Sequence, residues 1–174
     1  MSQAIIFKEA VELVKTIDGI KTVDGWRGQF DNYTKEDGFL MPAVFIRIEP
    51  SNFRDIGGAS GIQLYDCLLT LLIGFDVYKG TEYQKALELK EKVFKKFHRF
   101  EPMGEDERGK KNIGRFLRNG EEMQDLEYNN VLIWGQSYLC QNCWDYSAQT
   151  QYKTVTVNMP ITRTQTSIVT QITN

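Results

Sequence analysis

Cys140-Gln-Asn-Cys143 is the spacing in this sequence that most resembles a reactive site, a C-x-x-C with Cys67 as the only other cysteine. A redox pair of this type belongs at a helix N-terminus beside a strand, where the thiolate is stabilised. Here the pair lies within or just after an apolar run that reads as a strand. In a regular strand, residues three apart point to opposite faces, which disfavours a bridge. Two ordinary small apolar cysteines are the plainer expectation. A structural zinc needs about four ligands, and Cys67 and the single histidine, His98, do not supply the paired spacing. His98 itself stands near a predicted helix C-terminus beside Lys95, Lys96 and Arg99, a position that favours a cation. Gly57-Gly58-Ala59-Ser60-Gly61 lacks the Lys-Ser/Thr of a phosphate loop and precedes a strand. No catalytic, cofactor-binding or metal-ligating residue is therefore assigned.

Two further segments stand out by charge. Arg108, Lys110, Lys111, Arg115 and Arg118 place five basic residues in eleven positions with no acid among them. Such a run could meet phosphates. It is flanked by Glu105, Asp106 and Glu107 and by Glu121, Glu122, Asp125 and Glu127, so a solvated, charge-compensated loop is the simpler expectation. An interface loop or a loop lining a DNA channel are the alternatives. Phe116 is its one aromatic residue, which argues against base stacking. The second segment is the C-terminal arm. After Asp145 there is no acidic residue, and Lys153 and Arg163 are the only basic ones, so the last 29 residues carry +2 and the first 145 carry −4. Val155, Val157, Ile161, Ile168 and Ile172 give this arm a β-like character. It reads as an edge strand of its own sheet or as one added to the sheet of a neighbouring copy.

The elements that must position these residues follow from periodicity. Ile6, Ala10, Leu13, Val14 and Ile17 predict a helix over 4–17, stopped by Asp18-Gly19. Residues 40–48 predict a strand, 50–61 a loop, and 62–78 a long strand with Tyr65, Cys67, Leu69, Leu71, Ile73, Phe75 and Val77 on one face. So long a strand must bend, at Gly74 for instance, or project beyond the core. A second helix is expected from Thr81 to about Phe100, with Thr81 and Gln84 as a capping box. Residues 101–130 read as a long charged loop, with a short strand at 113–117. Strands follow at 131–140 and 152–157.

The order predicts an α+β domain over 1–157, a mainly antiparallel sheet with two helices packed on one face and an extended arm over 158–174. A chain of 174 residues with 41% hydrophobic and 25% charged residues can bury its own core. No apolar run approaches the roughly 20 residues of a membrane span. The N-terminus shows no secretory signal.

In the order of its elements the sequence resembles the tail-terminator, tail-completion and neck-ring proteins of tailed bacteriophages. The stretches that carry the resemblance are 4–17, Met41-Pro42-Ala43-Val44-Phe45-Ile46, 64–75, 83–97 and 131–138. The resemblance implies a non-enzymatic virion protein that forms a ring, a hexamer or dodecamer, at the head–tail junction, made in the host cytoplasm. Its partners would be copies of itself, the adjoining connector and tail proteins, and DNA in the channel, contacted weakly through 108–118. A nucleic-acid-binding module using that loop and a small thiol redox enzyme are the alternatives.

Overall fold

A computed structural model describes residues 2–31, 39–56, 61–76, 80–103, 113–126 and 131–145. The chain forms α1 (Ser2–Lys15), β1 (Thr22–Gly25), β2 (Ala43–Ile56), β3 (Ile62–Asp76), α2 (Gly80–Phe97), β4 (Leu117–Leu126) and β5 (Val131–Asp145). The strands make one sheet in the order β1-β2-β3-β5-β4. Only the β1–β2 pair is parallel; the other pairs are antiparallel. The fold is α+β, a mixed and mostly antiparallel sheet with both helices on one face.

The alternation in β3 dictates this arrangement. Tyr65, Cys67, Leu69, Leu71, Ile73 and Phe75 are all buried on the helix side. They meet Ile6, Ala10 and Val14 of α1 and Ala86, Leu89, Val93 and Phe97 of α2 in one core. Gly19 adopts φ +100°, the left-handed conformation expected after α1. Gln84 hydrogen-bonds Glu88 one turn on. Among the described residues no helix is long and apolar enough to cross a membrane.

Three expectations are corrected. Residues 50–56 are not loop but the continuation of β2, so that β2 and β3 form a long hairpin whose 51–55 stretch is exposed. The end of the long β3 that pairs with this stretch thus projects beyond the core, one of the two outcomes expected of its length. Of the strand predicted at 113–117, residues 113–116 form no strand and Leu117 opens β4. Ile113 and Phe116 are buried, and Phe116 exchanges backbone hydrogen bonds with Arg99 and Phe100. The strand within 101–130 is β4, whose charged sequence suits a sheet edge, where charges discourage unwanted pairing. The predicted strand at 152–157 and the arm at 158–174 lie outside the described residues.

Candidate functional site

The helix-free face of the sheet is where the described residues gather exposed chemistry. One end of it is closed by an aromatic cap: Trp26, Phe30, Phe39 and Phe45 lie with ring centroids 5.0–6.2 Å apart. They cover Ala43, Val131 and Ile133 as a small second core. Gly74 is required beneath it, because a Cβ there would fall on the Phe30 ring.

Beyond the cap the face opens into a groove of about 860 Å³. Cross-strand register lays its floor in rows across β3, β5 and β4: Leu72, Gly135 and Glu122, then Thr70, Ser137 and Gly120; past Leu68 at its end, a third row of Leu68, Leu139 and Leu117 continues the same face. Small residues leave room over the middle of the first row, at Gly135, and along the whole of the second. Arg47 and Glu49, paired at 2.6 Å, line the β2 side. The third row is entirely leucine. Leu68 and Leu139 are half-buried and Leu117 is 51% exposed. Leu64, opposite Trp144, continues the apolar stripe toward the projecting end.

Between these leucines lies a polar clamp centred on Asp66. Its carboxylate accepts hydrogen bonds from the Asn52 side-chain amide (2.9 Å), the Asn142 backbone N–H (3.1 Å) and Arg54 (3.4 Å). Arg54 also donates to the Asn142 side-chain oxygen at 2.9 Å. Asn52 and Asn142 have φ values of 53° and 60°, and each occupies a bulge, one on β2 and one on β5. Asparagine tolerates this left-handed conformation better than most residues. A single carboxylate on the central strand therefore pins a bulge on each neighbour. The Asn52 amide, then the Asn142 N–H and, more weakly, Arg54 hold Asp66 below the ordinary carboxylate range, against the opposing effect of its burial.

The β5 bulge also overturns the expectation for the C-x-x-C. Gln141 and Asn142 together oppose Asp66, so Cys143 returns to the helix side with Cys140. The two sulphurs lie 3.4 Å apart, fully buried, with Cys67 opposite Cys140. The hydrogen bond with Cys143, then burial, raise the Cys140 thiol well above its ordinary value. At Cys143 the bond with Cys140 lowers the pKa, but a bond with Cys67 and burial outweigh it and push the thiol up to about 12. Such groups stay protonated at neutral pH and are poor nucleophiles. Among the described residues no three of His, Cys, Asp and Glu are placed to hold a metal ion.

Of the basic run, Arg115 and Arg118 lie among the described residues; Arg108, Lys110 and Lys111 lie outside them. Arg115 pairs with Glu101 at 3.3 Å. Arg118 pairs with Glu121 and stacks on the Phe94 ring at 4.6 Å. Glu121 also binds Lys90 of α2. Both arginines are thus tied to carboxylates of the same chain. The arm residues Val155, Val157, Ile161, Ile168 and Ile172 lie outside the described residues. His98 is exposed and rests on the Phe94 ring, with centroids 5.2 Å apart. The leucine row does not emerge from sequence, since Leu117 closes the short strand predicted at 113–117 and no period links it to Leu68 and Leu139. No family model matches the chain, and no curated protein matches it.

Proposed function

We propose that this chain is a virion structural protein that assembles into a ring at the head–tail junction of a tailed bacteriophage, around the channel that DNA crosses. The observation that carries the assembly part is the row of Leu68, Leu139 and Leu117 on a sheet face that bears no helix among the described residues. An antiparallel sheet can turn one face to water, but that face then carries polar residues. A continuous leucine row ending in a half-exposed side chain marks a surface that another protein covers. The projecting β2–β3 hairpin sits at the end of the same face and adds an arm by which one subunit can reach the next. Head-to-tail contacts of this kind close into rings when their rotation permits. The junction itself is supported by the resemblance in element order.

Assembly requires no nucleophile, and the three cysteines are buried. Contact with DNA falls to the 108–118 run and is weak, because the first 145 residues carry −4 and two of the five basic groups are engaged within the chain. Negative-stain electron microscopy of the purified protein, alone and mixed with head and tail particles lacking it, tests the proposal. Closed rings of uniform subunit number, or rings seated on particle necks, are expected. Particles that neither bind the protein nor show a ring in its presence would sink it.

A further inference from the structure

β4 is the edge of the sheet, and among the described residues no strand lies along its outer side. The two edges differ in how well they are guarded. Past Gly25, the outer side of β2 is interrupted by Pro50, which has no N–H to offer, and by the bulge between Ser51 and Arg54. In β4 the only irregularity is between Arg118 and Gly120. From Gly120 to Leu126 the register is unbroken and contains no proline, so seven residues present a regular row of backbone donors and acceptors. Met123, 55% exposed, lies beside it on the helix side, level with Trp134. By sequence the regular stretch carries Glu121, Glu122 and Asp125 and no basic residue, Glu121 being paired with Lys90 and Arg118.

We infer that this edge receives residues 152–157 of a second copy as an added strand. The inference rests on the assembly reading above. Tyr152-Lys153-Thr154-Val155-Thr156-Val157 alternates Thr with Val, as a strand with one apolar face requires, and can set a valine beside Met123. Like charges opposite one another destabilise a pair of strands. Nothing after Asp145 is acidic, and Lys153 and Arg163 are basic, so this segment meets the acidic edge without repulsion.

The distance from the end of β5 separates a second copy from the chain's own arm. Asp145 pairs with Gln63 at the projecting end, whereas Gly120 pairs with Ser137, eight residues back along β5. Eight residues of strand and two strand spacings put the outer side of Gly120 roughly 28 Å from Asp145. The seven Cα–Cα steps from Asp145 to Tyr152 span at most about 24 Å when fully extended. Tyr152 therefore falls short of Gly120 in its own chain, so only the edge of a neighbour can take the segment with Tyr152 at the start of the regular row.

Cross-linking in the full-length protein tests this. Met123→Cys and Val155→Cys are made as separate variants, distinguished by mass, mixed, and treated with a short bismaleimide. The native thiols are fully buried and do not compete. The mixture is expected to yield the mixed covalent dimer at least tenfold above the dimer formed by either variant alone. No mixed dimer, together with an intrachain link in the double variant, overturns the inference by placing the arm on its own edge. A ring by native mass without the mixed dimer overturns it while leaving the assembly reading intact. A protein that stays monomeric alone and does not bind head or tail particles overturns both.

Discussion

Replacing Asp66 with alanine should loosen both bulges at once. The carboxylate receives two good hydrogen bonds, from Asn52 and from the Asn142 backbone, and a longer one from Arg54. Bonds to a charged acceptor are worth about 1.5–3 kcal/mol when buried. Here the donors sit on exposed residues and can turn to water, so about 1 kcal/mol each is the better magnitude. The exposed Arg54 contact adds little. The sum, about 2 kcal/mol, corresponds to a fall in Tm of about 4–8 °C for a domain of this size. Asp66→Asn keeps the shape but loses the charge, and should cost about half as much. The pH dependence has a definite sign. A folded-state pKa below the unfolded value near 3.9 contributes stability that is present above that value and lost as pH falls through the folded one. The gap between wild type and Asp66→Asn should therefore be constant from pH 5 to 8 and close below about pH 4. Thermal unfolding across that range, followed by circular dichroism, measures it. A shift under about 1 °C at pH 7, or a gap that persists unchanged to acid pH, would refute the clamp.

Gly74→Ala should cost about 1–3 kcal/mol, because its methyl group displaces Phe30 from the second core; an unchanged denaturation midpoint would contradict this. Tyr138→Phe removes the 2.8 Å bond to the buried Gln136, whose amide donates to Lys90 O. It should cost about 1–2 kcal/mol, read from urea titration, and a neutral substitution would show that Gln136 finds another donor. All three thiols should resist an aromatic disulfide reagent at pH 8 until the protein is unfolded, when three equivalents react; rapid labelling of the native chain would disprove their burial.

How far the sequence foretold these features depends on whether a period carried them. The two helices and β3 were legible because apolar residues recur at 3.6 and 2 positions over long stretches. β4 was hidden because Leu117–Leu126 holds glycine and four charged side chains, the composition of a loop as well as of a guarded edge. The extension of β2 was hidden by Pro50 and the polar run after it. The Cys140–Cys143 geometry could not be foreseen, since it depends on a left-handed Asn142 that breaks the strand period, and that conformation is held by Asp66, distant in sequence. The clamp and the leucine row share this origin: both are products of cross-strand register, which alternation within one segment does not reveal. The basic run was legible as a run, but not the pairing of Arg115 with Glu101.

The claim that copies meet through the helix-free face is tested most directly by native mass. Sedimentation velocity of wild type and Leu117→Asp, in parallel over a wide concentration range, supplies it. Leu117 is half-exposed, so the substitution should leave the monomer's Tm within about 1 °C. Within an interface it removes about 1 kcal/mol of apolar burial per contact and adds an unpaired charge. The wild type is expected to sediment as a closed multiple of 20.1 kDa and the variant as a lighter species with the same unfolding curve. Equal masses for the two proteins would contradict the account.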